Sequence, residues 1–244
     1  MPNDANYIAV YFNEDVDYSE RFVNLGNIEK IIVGDKQVEN IGEFSVPQDT
    51  RMEIYFTGTV ESLSNFFNSY HDFNTEHMYS IDFSNFDGSN VKSMDYMFYA
   101  CTSLKSVDLS NVDLTQITDM SNMFDRCEKL ESLTFPTTGA QNLKKMDNIL
   151  EGYKSLTSID FSMFTISEGF SAQSFITECD SLIAINFPKI NLGSFDFSEQ
   201  LGFFRSFSLK YIDLTGITGE NSQFANFLSE IMGNILTSFC CLFK

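Results

Sequence analysis

The feature that most constrains this chain is an internal repeat of about 26 residues. A central apolar residue returns in a short segment of alternating character, with successive spacings of 26, 26, 26, 26 and 27 residues. These central residues are Ile81, Val107, Leu133, Ile159, Ile185 and Ile212. The alternation around each of them is typical of a short strand with one buried face. The regular spacing predicts a solenoid in which equivalent units stack and bury a continuous core.

A second apolar pattern lies between the predicted strands, at offsets 0, 3, 6, 7 and 10. It comprises Val91, Met94, Met97, Phe98 and Cys101 in one unit, and Ile117, Met120, Met123, Phe124 and Cys127 in the next. This spacing is typical of one face of an amphipathic helix. We therefore predict an α/β fold, a leucine-rich-repeat-like solenoid of 26-residue strand–helix units. Because helices need more room than strands, we expect the stack to curve with its strands inside.

Three segments are predicted along the chain. Residues 1–58 contain short β-rich runs separated by Asn, Gly, Pro and Asp, and are predicted to form a capping β module. Residues 59–232 hold about six repeats and a terminal helix around Phe224 to Met232. Residues 233–244 form a tail with Cys240 and Cys241, which leaves lipid modification and a frayed further repeat both open.

The repeat unit resembles the BspA-type leucine-rich repeats of bacterial surface proteins. Those repeats have a Met-Phe-x-x-Cys-x-x-Leu segment followed by Leu-Asp-Leu-Ser, and residues 97–110 of this chain follow that order, with Val107 at the first Leu of the strand. Residues 123–130 repeat the first part of the motif. The resemblance implies adhesion or recognition at a microbial surface, without catalytic activity.

The cysteines of the repeat share one column. Cys101, Cys127 and Cys179 occupy equivalent positions, where Tyr70 and Tyr153 stand in other units. A position that accepts Cys or Tyr on an apolar stripe is most simply a buried packing site. The chain has only two histidines, His71 and His77, so a nucleophile would lack a nearby base in most of the repeat.

Composition narrows the classes of function. The net charge of −19, from 34 acidic and 15 basic residues, disfavours binding to nucleic acid or to anionic lipid. The sequence contains no stretch of about 18 apolar residues, so we predict no membrane insertion. The first residues do not resemble a signal peptide. No nucleotide, hydrolase or zinc motif occurs, so we predict no catalytic residues, no metal and no cofactor.

The inner face of the predicted sheet is the candidate binding surface. The acidic column at this face holds Asp82, Asp108, Asp160 and Asp213, with Thr134 and Asn186 in the two remaining units. The predicted site consists of Ser106, Asp108, Ser132, Thr134, Ser158, Asp160, Asn186, Tyr211 and Asp213. Such a face offers a rigid surface for a basic or polyhydroxyl partner, with Tyr211 as the single aromatic anchor.

We predict a non-enzymatic recognition or adhesion protein that binds a protein or a glycan, at a cell surface, outside the cell or on a virion. Two alternatives remain open from the sequence. One is a structural spacer or assembly subunit of a larger particle, such as a phage virion. The other is an intracellular scaffold, because no export signal is visible and a cytoplasmic location stays open.

Overall fold

The computed structural model describes residues 6–19, 27–41, 43–71, 74–166, 169–191, 204–205 and 208–229. The strands of the N-terminal part are β1 (Tyr7–Phe12), β2 (Val16–Ser19), β3 (Ile28–Val33), β4 (Lys36–Gln37), β5 (Glu43–Val46) and β6 (Met52–Phe56). Two short 3₁₀ turns follow, Ser69–His71 and Asn74–His77. The first strands of the repeat are β7 (Met78–Asp82), β8 (Ser106–Asp108), β9 (Ser132–Thr134), β10 (Leu150–Glu151), β11 (Ser158–Asp160) and β12 (Thr165–Ile166).

The later strands are β13 (Ile176–Thr177), β14 (Ala184–Asn186), β15 (Lys189–Asn191), β16 (Phe204–Arg205), β17 (Tyr211–Asp213) and β18 (Ile217–Thr218). Among the described residues, the one α-helix spans 221–229, where Glu220 accepts a backbone hydrogen bond from Phe224 at 2.9 Å. This helix begins three residues before the predicted terminal helix and overlaps it, and the last residues of the predicted helix fall outside the described ranges.

The predicted strand column is confirmed. Neighbouring units pair in parallel except at β9 and β11. Val107 lies beside Leu133, while Ile185 lies between Ile159 and Ile212. All of these side chains except Ile212 are buried, and Ile212 packs against the same core. The 26-residue spacing thus sets the register, because one unit of chain returns the backbone to the same position in the next coil.

The predicted α/β class is wrong, because the apolar stripe between the strands is not helical. Residues 93–101 form consecutive tight turns, in which Met97 and Cys101 donate backbone hydrogen bonds to Met94 and Phe98, three residues earlier. The fold is a β-solenoid of about five turns, and the strand–helix unit of a leucine-rich repeat is absent from its described coils.

Backbone hydrogen bonds between coils hold these turns in place. In one coil, the N–H groups of Met94, Tyr96, Phe98 and Ala100 donate to the carbonyls of Asp119, Ser121, Met123 and Asp125 in the next, each at 2.9 Å. A right-handed helix would use those N–H groups within its own segment. Isolated bridges continue the pairing through Ser93, Asp119, Lys145 and Ser171. We call this stacked segment of each coil the turn ribbon.

Two columns of left-handed residues shape the turn ribbon. The first contains Asn65, Tyr96, Asn122, Asn148 and Ser174, with φ between 48° and 59°. The second contains Ala100, Arg126, Gly152 and Glu178, with φ between 56° and 77°. A positive φ cannot occur within a right-handed helix. Turns of four residues return their side chains to the core at the same three- and four-residue spacing as a helix. This explains why the apolar pattern between the strands resembled that of a helix.

The core is a stack of rings and aliphatic side chains enclosed by each coil. The rings of Phe67, Phe98 and Phe124 stack face to face, with centroids 5.8 and 5.4 Å apart and interplanar angles of 7° and 11°. Because the turn ribbon and the strands are both hydrogen-bonded from coil to coil, they share one axial spacing. The predicted arc required the segments between the strands to be spaced more widely than the strands. That requirement does not hold here.

Four of the six N-terminal strands extend the first sheet of the solenoid, and β2 and β5 pair separately. Strand β1 runs antiparallel to β7, and the sheet has the order β4-β3-β6-β1-β7-β8-β9. Arg51 of the N-terminal part donates to the hydroxyls of Tyr11 and Tyr7 at 3.0 and 3.3 Å and lies 3.8 Å from the Asp82 carboxylate of β7. The edge of β7 that would otherwise be open is thus paired with β1.

Candidate binding face and buried columns

The solenoid sheet presents its outward side chains in two columns. Ser106 lies beside Ser132 and Asp108 beside Thr134. In the second half of the sheet, Ser158, Ala184 and Tyr211 form one column, and Asp160, Asn186 and Asp213 form the other. Of the nine predicted site residues, Asn186 is half-buried and the other eight are exposed. The structure thus brings them onto one face, in two groups.

A groove separates these two groups. Within the described residues, no backbone hydrogen bond joins β9 to β11, so the sheet that runs to β9 is distinct from the β11-β14-β17 sheet. An open cavity of about 540 Å³ lies across this interruption. Five predicted site residues line it, namely Ser132, Thr134, Ser158, Asp160 and Asn186. Glu131, Ser162 and Met163 also line it, whereas Ser106, Asp108, Tyr211 and Asp213 do not.

The aspartates of the sheet face close the turn that follows each strand. The Oδ1 atoms of Asp82, Asp108, Asp160 and Asp213 each accept a hydrogen bond of 2.8 Å from the backbone N–H two residues later. This Asx turn is a usual role for aspartate at the end of a strand. The carboxylates therefore have a structural task in addition to any binding.

The two units without an aspartate support this structural role. Thr134 and Asn186 replace the aspartate in the units where Pro136 and Pro188 stand two residues later. Proline has no N–H to donate, so a carboxylate at those positions would lack its backbone partner. In the four other units the aspartate and a Ser or Thr with a free N–H occur together. An aspartate thus occurs in this column only where the following turn supplies a backbone N–H that can donate to it.

Hydrogen bonds also lower the pKa of one groove residue. Partial burial acts to raise the pKa of Asp160, but hydrogen bonds from Ser162 and Asn186 outweigh it and hold that pKa below its ordinary value. The groove therefore carries a carboxylate that stays ionised at neutral pH. Its chemistry is that of hydroxyl, amide and carboxylate oxygens on an open surface.

The cysteine column is a buried hydrogen-bonded ladder, and its predicted burial is confirmed for Cys101, Cys127, Cys179 and Tyr153. The thiols of Cys101 and Cys127 donate to the carbonyls of Phe67 and Phe98 in the preceding coil, at 3.1 and 3.0 Å. In the next coil, the hydroxyl of Tyr153 donates to the carbonyl of Phe124. Cys179 donates to the carbonyl of Leu150 at 3.6 Å.

Burial makes these thiols poor nucleophiles. It raises the pKa of Cys101 and of Cys179 to about 12, and that of Cys127 well above its usual value. Tyr70 is the exception to the predicted column, because 75% of it is exposed. In the sequence, Tyr70 is the member of this column that is followed by an insertion before the next strand. Cys240 and Cys241 lie outside the described residues.

A cluster of three tyrosines on the turn ribbon was not predicted from the sequence. Tyr70 and Tyr96 each lie against the ring of Tyr99, with centroids 6.1 and 5.6 Å apart. The repeat alignment assigned Tyr70 to the core, so the cluster was not visible as a surface. One available signal was Tyr96, which occupies a position where other units have Asn.

Stacked coils, repeated turns and an outward polar sheet face together define a solenoid repeat protein. The family described as "Mycoplasma protein of unknown function, DUF285" matches residues 36–164, more than half of the chain. The chain belongs to this family, which is associated with BspA-like surface repeat proteins. No curated protein and no solved structure matches the chain significantly. Within the described ranges, no helix has both the length and the apolar character needed to cross a bilayer.

Proposed function

We propose that this chain is a non-enzymatic recognition or adhesion protein whose partner binds in the groove between β9 and β11. The observation that carries this proposal is the groove itself. It is the place where the otherwise regular sheet is interrupted, and small polar side chains line it. A rigid repeat surface needs little reordering on binding, so even an open groove can hold a partner.

The chemistry of the groove indicates the partner. Asp160 and Glu131 give it negative charge, while Ser132, Thr134 and Ser158 offer hydroxyl groups. Hydroxyls and carboxylates bind the polar edges of a glycan or the basic and polar groups of a protein. The net charge of −19 favours partners that are not acidic. The association of the family with surface repeat proteins supports a location at a cell surface, outside the cell or on a virion.

A structural or assembly role is the second candidate, and one observation favours it. The acidic column follows the turn chemistry in all six units, so the conspicuous carboxylates are accounted for without any ligand. In that case the sheet face would be solvated and the solenoid would serve as a spacer. The test must therefore separate the groove from the rest of the face.

The test uses a matched pair of substitutions in the same outward column. Ser158→Tyr places a bulky ring in the groove, and Ser106→Tyr places the same ring on the same face outside it. Both are expected to fold, because Tyr211 already occupies this column. The full chain is screened on arrays of glycans and of surface proteins, and each hit is titrated with both variants.

We expect Ser158→Tyr to weaken the affinity for a hit about tenfold, or about 1.4 kcal/mol, and Ser106→Tyr to leave it unchanged. If both variants weakened binding equally, or if neither weakened it, the groove would be excluded as the binding site. Absence of any hit on both arrays would favour the structural role.

A further inference from the structure

The three tyrosines on the turn ribbon line a second groove, far from the interrupted sheet in sequence. It has a volume of about 370 Å³ and is lined by Asn65, Asn68, Tyr70, Asp95, Tyr96 and Tyr99. The ring of Tyr70 is at 75° to that of Tyr99, and the ring of Tyr96 is at 53° to it. Rings at such angles form the walls of a cage, whereas a flat stacking platform needs coplanar rings.

Two of these rings are unusually exposed. Tyr70 is 75% and Tyr96 is 37% exposed, in a chain whose large apolar side chains are otherwise mostly buried. Exposed aromatic side chains grouped around a concavity are a frequent mark of a binding site.

The backbone of Tyr96 adds an independent observation. Its φ is 56°, in the column where Asn65, Asn122 and Asn148 occupy the equivalent positions. Asn tolerates a left-handed conformation better than other residues with a Cβ, and an aromatic residue there is strained. Residues held in unfavourable conformations concentrate at functional sites.

The groove has the charge that suits a cation. Asp95 is the one carboxylate among its lining residues, and no Lys, Arg or His lines it. Its Oδ1 is fixed by the hydroxyls of Ser64 and Ser93, so the charge is held in one place. The guanidinium of Arg126 already lies over the ring of Tyr99, 5.6 Å from its centroid, so a ligand cation must rely chiefly on the other two rings and on Asp95.

We propose that the Tyr70–Tyr96–Tyr99 groove binds an organic ammonium group, of the quaternary type found in choline. A trimethylammonium group is weakly hydrated and apolar in shape, so tyrosine faces attract it by the cation–π interaction and Asp95 by its charge. A neutral sugar could donate its hydroxyls to Asp95, but it would gain neither the charge–charge attraction nor the cation–π interaction. This inference is independent of the sheet-face groove and holds whether or not that groove binds a partner.

The test is a titration of the full chain with choline, followed by NMR of labelled tyrosine rings. The uncharged analogue of choline, in which carbon replaces nitrogen, has the same shape and serves as the control ligand. We expect saturable shifts at the three rings with choline and affinity at least fivefold lower for the neutral analogue, about 1 kcal/mol.

Two substitutions probe the site without disturbing the fold. Tyr96→Asn restores the residue of the neighbouring units and relieves the strained backbone, so the variant should be at least as stable as the parent chain. Asp95→Asn keeps an oxygen that can accept from Ser64 and Ser93 while removing the charge. Each variant should weaken choline binding about fivefold or more, whereas Tyr211→Ala, on the sheet face, should leave it unchanged.

Equal binding of choline and its neutral analogue would overturn the proposal, since the charge would then play no part. Absence of saturable shifts with choline would also overturn it. If a panel of neutral saccharides shifted these rings and choline did not, the groove would be a glycan site.

Discussion

The Oδ1 atom of Asp160 accepts a 2.8 Å hydrogen bond from the backbone N–H of Ser162. The same contact recurs in the three other units with an aspartate at this position, and both units with proline two residues later lack the aspartate. This pairing of side chain and turn explains the acidic column as part of the folding of each coil. The aspartates of the sheet face therefore have a structural role in addition to any role in binding.

The first prediction concerns this turn. Asp160→Ala should lower the free energy of unfolding by about 1 kcal/mol, because the N–H of Ser162 loses its acceptor. Thr134→Asp should bring no gain, since Pro136 has no N–H, whereas Thr134→Asp combined with Pro136→Ser should be more stable than the Pro136→Ser variant alone. Urea unfolding measures all four. A gain from Thr134→Asp alone would show that the aspartates act in another way.

The lowered pKa of Asp160 gives the same contact a pH dependence. Because the folded-state pKa lies below the unfolded value of 3.8, the contribution of Asp160 is present above that value and is lost as the pH falls through the folded-state pKa. The destabilisation by Asp160→Ala should therefore shrink in acid. A difference between the two proteins that is constant from neutral pH to about pH 2 would contradict this linkage.

The second prediction isolates the backbone of the turn ribbon. Gly152 has φ 77°, and a Cβ added there would meet nothing within 4 Å. Gly152→Ala should nevertheless cost about 1 kcal/mol, because the left-handed conformation disfavours any residue with a Cβ. Arg126→Gly, at the equivalent position one coil earlier, should have the opposite sign. Thermal unfolding checks both, and a neutral Gly152→Ala would contradict the left-handed column.

The third prediction concerns the buried ladder. Tyr153→Phe keeps the ring and removes the hydroxyl that donates to the carbonyl of Phe124. It should cost about 1 kcal/mol, because that carbonyl keeps only the hydrogen bond from the N–H of Cys127 at 3.1 Å. Cys101, Cys127 and Cys179 should react with a polar thiol reagent only after denaturation, because they are buried and their pKa values are raised. Rapid labelling of these cysteines in the native chain, followed by mass spectrometry of peptides, would refute their burial.

The fourth prediction concerns Asp125, a carboxylate that is only 7% exposed. Within the described residues its Oδ1 accepts no hydrogen bond, and Arg126 Nε lies 4.0 Å away. Burial, and then the charge of Glu151, raise the pKa of Asp125 to about 6 against the opposing effect of Arg126. Asp125→Asn should therefore stabilise the protein by about 1–2 kcal/mol near pH 8.

The sign of this effect depends on pH. A raised folded-state pKa means that stability is lost as the pH rises from 3.8 through about 6. The advantage of Asp125→Asn should consequently disappear near pH 4, where the wild-type carboxyl is protonated in the folded chain. Unfolding curves at both pH values test it, and an advantage of equal size at pH 4 would point to a cause other than charge.

The strand column was predictable because it depends on the period of the sequence alone. The spacing from Val107 to Leu133 and from Ile159 to Ile185 equals one coil, whichever structure fills the rest of the unit. The turn ribbon was not predicted, because stacked four-residue turns and a helix place Met94, Met97 and Cys101 on the same face. The recurrence of Asn122 and Asn148 at one position of the supposed helix was the available signal, since Asn favours left-handed turns and is poor in helix interiors.

The binding surfaces, too, were predictable from the sequence only in part. Alternation along the strands predicts that Ser158 and Asp160 point outward, and they do. The interruption between β9 and β11 depends on how two coils pair, which no single unit of sequence encodes. The tyrosine groove depends on the exposure of Tyr70, which the repeat alignment had placed in the buried column. Both grooves are therefore properties of neighbouring coils.

The central claim is that each unit is a β-solenoid coil with a turn ribbon where a helix was expected, and both grooves depend on it. The most direct measurement is the backbone conformation of Tyr96, Asn122 and Asn148 in solution, from NMR chemical shifts and three-bond couplings. The structure predicts a positive φ at all three, with values of 56°, 57° and 49°. A negative, helical φ at these residues, with helical shifts across 93–101, would contradict the account.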